Sequence, residues 1–202
     1  MSDPVRRLQV PSATPPDRAR AFSEALAQAK GKQLLIALRG HPDPDGIASA
    51  LAQAHIAARM GVANTTIAYC HELSHRENRA LVKLLGVDLR KIKSVKEIGH
   101  VDFLALVDAH DVDPELSDAE DIEVLTIVDH HRAPFPPRAR FVDLRNEVGA
   151  TATIFVEYLE QLAPLDVDSE DDRRIATALM HGLSTDTDDF MLARGADFRA
   201  AA

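Results

Sequence analysis

The amino-acid sequence predicts an α/β fold in which a doubly wound, mainly parallel sheet of about five strands carries helices on both faces. Short, continuous apolar runs, which are typical of strands buried on both faces, alternate with longer segments of helical character. Acidic and histidine residues follow several of these runs. Because the carboxyl ends of parallel strands meet at one edge of an open sheet, where ligands bind, we expect these polar residues to lie together.

The individual elements follow from the apolar runs and from the residues that bound them. The predicted strands are residues 34–38, 65–69, 102–107, 122–128 and, as a short further strand, 141–144. The predicted helices are residues 16–30, 47–60, 76–85, 150–162 and 169–183. Residues 89–99 show no clear pattern, and residues 111–121 are predicted to form an acidic loop or a short helix. The three prolines within residues 132–138 predict a loop.

Length and composition indicate one folded domain. The chain has 202 residues, of which 46% are apolar and 27% are charged, as is typical of globular proteins. Residues 1–16 are aperiodic and contain Pro and Ser, so we expect a mobile leader followed by a single domain over residues 17–202. The single cysteine, Cys70, excludes an intramolecular disulfide framework and a multi-cysteine zinc site, and we interpret it as a small residue at a strand end.

Charge and hydropathy limit the partners that the chain can have. The net charge of −9 argues against binding to long nucleic acids, which requires a basic surface. No apolar run approaches the ~20 residues of a membrane-spanning helix, and no signal-peptide core follows Met1. The sequence therefore predicts a cytoplasmic protein that binds neither long nucleic acids nor membranes.

The segment directly after the first predicted strand carries His41, Asp43 and Asp45 at alternate positions. Alternate residues of an extended segment point the same way, so these three side chains could face one site. The two prolines between them favour extended geometry, and Gly46 would allow a sharp turn into the next helix. An Asp-rich helix cap is the alternative interpretation of this segment.

Three further sites of the same kind occur along the chain: Asp108, the run Asp129-His130-His131, and Asp186. Each follows a predicted strand or lies in a loop, although a strand-end Asp alone is more often a cap or loop residue than a ligand. The carboxylate of Asp129 could accept a ring N–H and orient a histidine. For the last site, spacing alone does not distinguish Asp186 from the two acidic residues at 188 and 189.

Together these residues predict an oxygen- and nitrogen-rich cage for divalent metal ions. Mixed carboxylate and imidazole ligands without a thiolate suit manganese better than structural zinc. Other histidines are interpreted differently. His71 and His75, on either side of Glu72, are predicted to lie in a solvated loop rather than in a second metal site, and His110 is set aside as a residue without a ligand role.

The ordered set of motifs resembles the DHH family of phosphoesterases, which is named for the run found here at residues 129–131. Residues 41–46 are similar to the first motif of the family, Val107-Asp108 to the second, and Thr185-Asp186-Thr187 to the fourth. Residues 77–81 and 149–153 also resemble segments of bacterial members described as nanoRNase-like or pAp-phosphatase-like. The resemblance spans roughly residues 33–190.

The resemblance implies a two-metal hydrolase, usually dependent on Mn²⁺, with Mg²⁺ or another divalent ion as a substitute. His41 and Asp43 would bind one metal ion, and Asp45, His130 and Asp186 would bind the other. Asp108 would bridge the two ions and, with His131, make up the catalytic pair. His131 would contact the substrate phosphoryl group and could donate a proton. Asp129 would support the adjacent histidines.

The implied substrates are small nucleotides: short oligoribonucleotides, dinucleotides or 3′-phosphoadenosine 5′-phosphate, handled by a possible homodimer. Members of this kind continue into a smaller lobe with a glycine- and histidine-rich motif, and no Gly-Gly-Gly-His run occurs in this chain. We therefore expect the C-terminal substrate lobe to be absent, either because the chain is a fragment or because it is naturally short.

A catalytically weak metal- and nucleotide-binding module remains one alternative function. A pyrophosphatase-like enzyme is another, although that group places its first His four residues before the first Asp.

Overall fold

A parallel sheet forms the centre of the structure, a computed structural model that describes residues 14–73 and 75–202. Its strands are β1 (Gln33–Ala37), β2 (Asn64–Tyr69), β3 (Leu89–Lys91), β4 (Phe103–Val107), β5 (Val124–Asp129) and β6 (Phe141–Leu144). The six strands lie in the order β3-β2-β1-β4-β5-β6, and all neighbouring pairs are parallel. The predicted α/β class with a parallel sheet is confirmed, with one strand more than expected.

The helices join and cover these strands. They are α1 (Pro15–Leu26), α2 (Pro44–Arg59), α3 (Arg76–Leu85), α4 (Thr151–Leu162), α5 (Glu170–Asp186) and α6 (Gly195–Ala200). Short 3-10 helices occur at Ala27–Ala29, Val95–Glu97 and Ser117–Ala119. Within the described part of the chain, no helix is long and apolar enough to cross a membrane.

Several element boundaries differ from the predictions. The first helix begins at Pro15, so two residues of the predicted leader are helical, and residues 1–13 lie outside the described part of the chain. The unexpected strand is β3, which occupies part of the stretch 89–99. Residues 117–119 form a single 3-10 turn within the acidic segment 111–121. Helix α2 begins three residues before its predicted start at Ile47.

Alternation along the strands divides the core into two sides. Leu34 and Ile36 of β1 belong to a large cluster that includes residues from the α-helices, such as Phe22 and Phe155. Leu35, between them, packs on the opposite side with residues of the 3-10 helices. Such strict alternation is expected for a strand with apolar layers on both faces. Helices therefore lie around the sheet, with the α-helices concentrated over one cluster.

The order of the strands creates a crevice at the carboxyl edge of the sheet. The chain runs from β1 outward to β2 and β3, then returns to place β4 on the other side of β1. The connections after β1 and β4 consequently leave the sheet in different directions, which is the arrangement that forms ligand sites in open α/β sheets. Residues 41–45 follow β1 and Asp108 follows β4, so the topology brings the first two motifs to this crevice.

A close contact between α2 and α5 supports the same edge. Gly182 of α5 lies against the first turn of α2, where a Cβ on Gly182 would be 2.9 Å from the Asp45 Cα and 2.9 Å from the Pro44 carbonyl oxygen. A glycine is required because real Cβ atoms do not approach backbone atoms this closely. This contact places the end of α5 beside the motif that follows β1.

We expect Gly182→Ala to lower the free energy of unfolding by about 1–3 kcal/mol, the usual cost of overpacking. The helix propensity of alanine exceeds that of glycine by up to about 1 kcal/mol. A net loss of stability would therefore mean that the steric clash outweighs this propensity. Chemical denaturation measures the change. The matched control is Gly195→Ala, because its Cβ would meet only the flexible Arg199 side chain at 3.5 Å. Equal stability of the two variants would contradict the close packing of α2 and α5.

Candidate metal centre

The segment after β1 turns directly into a helix. Asp43 is the N-cap residue of α2, and its Oδ1 accepts a hydrogen bond from the Gly46 N–H at 2.9 Å. Pro44 occupies the start of the helix, where its missing N–H has no cost. The predicted extended presentation of residues 41, 43 and 45 is therefore wrong for Asp45, which lies in the first helical turn. The alternative of a helix cap holds for Asp43, whose cap bond uses one carboxylate oxygen.

Asp45 joins two helices through its carboxylate. It is fully buried, and it accepts hydrogen bonds from the Thr151 N–H at 2.7 Å and from the Ala152 N–H at 2.8 Å. These two N–H groups belong to the first turn of α4, where backbone donors lack partners within the helix. The contact therefore fixes the N-terminus of α4 against the N-terminus of α2.

Asp108 lies at the end of β4 in the left-handed region, with φ of +53°. A non-glycine residue in this region stores strain and is common at functional sites. Its Oδ1 accepts a hydrogen bond from the Thr151 hydroxyl at 2.9 Å, and its Oδ2 lies near Gly46. Asp108 thus faces the residues that follow β1, as the sequence predicts.

His130 faces the carboxylates. Its Nε2 lies 3.2 Å from Asp186 Oδ2 and 3.6 Å from Asp108 Oδ1. This nitrogen is buried and makes no hydrogen bond to any described residue. A buried ring nitrogen directed at two carboxylates without a hydrogen bond is the arrangement expected of a metal ligand.

Asp129 supports His131 rather than His130. The buried Asp129 carboxylate accepts hydrogen bonds from the His131 backbone N–H at 3.0 Å and from its ring Nδ1 at 2.8 Å. The His110 ring Nδ1 lies 2.9 Å from the other oxygen. No ligand role was predicted for His110 from the sequence, and in the structure it completes the hydrogen bonding of Asp129 instead.

This hydrogen bonding affects the protonation of both partners. The bond to Asp129, together with the nearby carboxylates of Asp108 and Asp186, raises the pKa of His131 to about 9. Burial alone would raise the pKa of Asp129, but the hydrogen bonds from His131 and His110 lower it to about 2. His131 is consequently a protonated imidazole at neutral pH, and its side chain is 54% exposed.

His41 and Asp186 have different neighbours in the site. The His41 Nδ1 lies 2.8 Å from the backbone carbonyl oxygen of Glu72, so Nδ1 donates and Nε2 is left available. His41 lines one small cleft with Asp43 and Asp108. Asp186 is the last residue of α5 rather than a loop residue after a strand, and the prediction is corrected on this point.

The predicted ligands therefore meet at one edge of the sheet. Asp45, Asp108, His130, His131 and Asp186 form two overlapping groups that share His130, with ligand atoms within 4.8 Å in each group. Burial and the neighbouring carboxylates raise the pKa of Asp43 and of Asp45, and burial and Asp43 raise that of Asp108 to about 7. Carboxylates this close repel one another, so the residues present fit a cation or a pair of cations.

A further layer of residues holds the site and was only partly visible in the sequence. Asp197 of α6 is fully buried, and it accepts hydrogen bonds from the Gly149 N–H at 2.9 Å and from the Thr153 hydroxyl at 2.7 Å. Thr151, between these two residues, contacts both Asp45 and Asp108. The resemblance of residues 149–153 to a family segment was the one signal for this role. No local pattern indicated Asp197.

Comparison with known proteins agrees with this fold. The family model described as "DHH family, N-terminal domain" matches residues 34–183. This range takes in well over half of the 202 residues and contains five of the six predicted metal ligands. The chain belongs to the DHH family.

Individual relatives are longer than this chain. An uncharacterized protein of Methanocaldococcus jannaschii is 36% identical over 180 residues, which are 89% of this chain and 36% of that protein. A probable manganese-dependent inorganic pyrophosphatase of Lactococcus lactis subsp. lactis is 31% identical over 155 residues, 73% of this chain and 47% of the relative. The chain thus spans about half or less of the length of these relatives.

The fold is shared with a solved structure. An exopolyphosphatase-related protein from Bacteroides fragilis superimposes with a TM-score of 0.63 over 90% of this chain and 55% of that chain, at 14% sequence identity. At this identity the similarity concerns the arrangement of strands and helices only.

We expect Asp108→Asn to stabilise the protein in a chelator, and to do so more at about pH 8 than at about pH 5. A carboxyl whose pKa is raised to about 7 in the fold destabilises that fold as it ionises. As the pH rises, this loss of folding stability begins near the pKa of the unfolded state, about 4, and grows until the pKa of the folded state is reached. At higher pH the loss is constant. The amide oxygen of the Asn can still accept the hydrogen bond that the Thr151 hydroxyl donates.

Thermal melting of both proteins in a chelator at the two pH values measures the effect. Asp88→Asn is the matched control, because it removes the same charge from an exposed residue. A stabilisation by Asp108→Asn that did not depend on pH would show that Asp108 is already ionised at pH 5.

Proposed function

We propose that the chain is a manganese-dependent phosphoesterase that hydrolyses phosphoester bonds of small nucleotides with two metal ions. The cluster of buried carboxylates around the His130 Nε2 carries this proposal. Oxygen and imidazole ligands suit Mn²⁺, and the Lactococcus lactis relative is a probable manganese-dependent enzyme. Membership of the DHH family supports a hydrolase.

The positions of the side chains support a division into two metal sites. His41 and Asp43, which line the cleft beside Asp108, would hold one ion. Asp45, His130 and Asp186, whose ligand atoms lie within 4.8 Å of one another, would hold the other. Asp108 would be shared, because it lies between the two groups. When bound, the ions supply Lewis-acid activation of the phosphoryl group and of the attacking water.

His131 is the proton donor in this proposal. Its ring is half exposed toward the crevice, while the Nδ1 is engaged by Asp129. The raised pKa keeps the ring protonated at neutral pH, so it can stabilise negative charge that develops on the phosphoryl group and protonate the leaving oxygen. The Asp129 carboxylate holds the ring in position, and His110 completes the bonds that Asp129 accepts.

The substrate class rests on the resemblance of residues 77–81 and 149–153 to nucleotide-specific members. A pyrophosphatase-like reaction on a phosphoanhydride is the second candidate, favoured by the 31% identity to a probable pyrophosphatase. The spacing of the first motif supports a nucleotide rather than pyrophosphate as the substrate. His41 precedes Asp43 by two residues, whereas pyrophosphatases of the related group place this His four residues before the Asp.

We expect the Mn²⁺-loaded protein to hydrolyse dinucleotides or 3′-phosphoadenosine 5′-phosphate faster than pyrophosphate. Initial rates at equal substrate concentration, with Mn²⁺ and with a chelator, measure the preference. Asp186→Asn is the matched inactive control, because it keeps the shape of the side chain and removes the charge of a proposed ligand beside His130. A faster reaction with pyrophosphate would favour the second candidate, and no Mn²⁺-dependent hydrolysis would contradict both.

We expect His131→Gln and His130→Gln to separate chemistry from metal binding. Loss of the His131 proton donor should lower turnover by about 10²–10⁴-fold while both ions still bind. Loss of His130 should remove one ion, because its Nε2 faces Asp108 and Asp186. Calorimetric titration with Mn²⁺ and initial rates on a dinucleotide measure the two properties in each variant.

The control for general effects on the fold is His75→Gln, which changes a histidine outside the site. Equal loss of Mn²⁺ from the His131 and His130 variants would contradict the proposed division of roles.

A further inference from the structure

A second group of ligand-type side chains lies at the end of β2, outside the acidic cluster. Cys70, His71 and Asp113 each offer one ligand atom, and these atoms all lie within 4.8 Å of one another. The His71 Nε2 is 3.0 Å from Asp113 Oδ2. Cys70 and Asp113 are buried, whereas the His71 ring is partly exposed. The sequence predicted a solvated loop at His71, and the structure has a loop there in which the ring is partly exposed and contacts Asp113.

We propose that Cys70, His71 and Asp113 form a binding site for one thiophilic divalent cation such as Zn²⁺. A thiolate, an imidazole and a carboxylate are the three ligand types that Zn²⁺ accepts in proteins. A thiolate also favours Zn²⁺ over the Mn²⁺ that prefers oxygen ligands. Three protein ligands leave one position of a tetrahedron for water.

The surroundings hold two of the ligands in place. Asp113 accepts hydrogen bonds from the Gly40 N–H at 2.8 Å and from the Glu115 N–H at 2.9 Å, so its carboxylate is fixed before any ion binds. The second ring nitrogen of His71, Nδ1, lies 3.9 Å from the Glu115 Oε1. A carboxylate behind the distal nitrogen of a histidine is the usual support of a metal-ligating imidazole.

Binding requires a proton to leave. Burial, followed by the adjacent Asp113, raises the pKa of the Cys70 thiol to about 12, so the free protein holds a thiol at neutral pH. Formation of the sulfur–metal bond therefore breaks the S–H bond and releases one proton to solvent, without any change of oxidation state. His71 donates its Nε2–H to the Asp113 carboxylate in the free protein, so binding of the ion through Nε2 breaks this hydrogen bond and moves the ring proton to Nδ1. The affinity consequently rises with pH.

The site is adjacent to the acidic cluster and chemically distinct from it. The His71 ring lies 5.2 Å from the His41 ring, measured between centroids. His41 directs its Nδ1 to the Glu72 carbonyl oxygen and shares a cleft with Asp43 and Asp108. One site therefore offers sulfur and the other offers oxygen and nitrogen, so different ions can occupy them at the same time.

Cobalt(II) is the probe that tests this proposal, because a thiolate bound to Co²⁺ gives an intense near-ultraviolet charge-transfer band. Cys70 is the single cysteine of the chain, so such a band can arise from no other residue. We expect titration of the full chain, first loaded with Mn²⁺ at the acidic cluster, to produce the band with about one further equivalent of Co²⁺ and to release a proton. Absence of the band at saturating Co²⁺ would overturn the proposal, and the contacts would then serve only to anchor the loop at Gly40.

Two variants test the ligand set. His71→Ala should weaken the Co²⁺ binding that produces the band by about tenfold or more, and Cys70→Ser should abolish the band. His75→Ala is the matched control, since His75 lies nearby and makes no capping hydrogen bond through its side chain. Circular dichroism shows whether each variant folds, and Zn²⁺ should remove the band from the wild-type protein by competition. An unchanged band in His71→Ala would also overturn the proposal.

Neither readout depends on hydrolysis. A protein that shows the cobalt band but no Mn²⁺-dependent turnover would support this site and contradict the proposed function. The reverse result would support the proposed function and overturn this site.

Discussion

The buried carboxylate of Asp45 is the contact on which the rest of the site depends. A buried charge is costly unless hydrogen bonds or opposite charge compensate for it. The two N–H groups at the start of α4 supply part of this compensation, and the positive end of the helix dipole adds to it. These hydrogen bonds do not offset burial and the repulsion from Asp108 and Asp186, which together raise the pKa of Asp45. The fold thus concentrates negative charge that divalent cations would neutralise.

Close backbone packing makes this concentration of charge possible. Gly182 lets α5 approach the Asp45 backbone, and this approach brings Asp186 to the site. Gly149 has a comparable role, because a Cβ there would be 2.6 Å from Thr187 and 2.7 Å from the Asp197 carboxylate. Each glycine brings the end of one element against another, so the ligands are positioned by rigid packing rather than by flexible side chains. The acidic cluster and the two glycines form one structural unit.

The sequence predicted five of the six strands but missed the edge strand β3. Central strands such as β1 and β4 are continuous apolar runs, and their burial on both faces makes that pattern unmistakable. Strand β3 consists of Leu-Arg-Lys at the edge of the sheet, where exposed polar residues are tolerated and no apolar run is needed. Pairing with β2 forms this strand, and single-sequence patterns contain no information on such pairing.

Contacts between distant segments also limit how much of the candidate site the sequence can predict. The residue types and their order were sufficient to predict that these side chains lie close together, although Asp45 and Asp186 belong to helices rather than to strand ends. The start of α2 was missed because its apolar pattern begins at Ile47, although an Asp before a Pro is a recognised helix start. The bond from Thr151 to Asp45 joins residues 106 positions apart, and Asp197 reaches Gly149 across 48 positions. Contacts of this range depend on the completed fold, so the supporting residues were found only in the structure.

Three consecutive residues where β5 ends have three different environments. Asp129 is the last residue of the strand, and the chain bends at His130 and His131. Asp129 is fully buried, His130 is 14% exposed and faces the carboxylates, and His131 is 54% exposed beside the crevice. The Asp129 carboxylate accepts a hydrogen bond from the His131 ring and thereby raises the pKa of that imidazole. Under the proposed function, a supporting carboxylate, a metal ligand and a proton donor would occupy three adjacent positions where β5 ends and the chain bends.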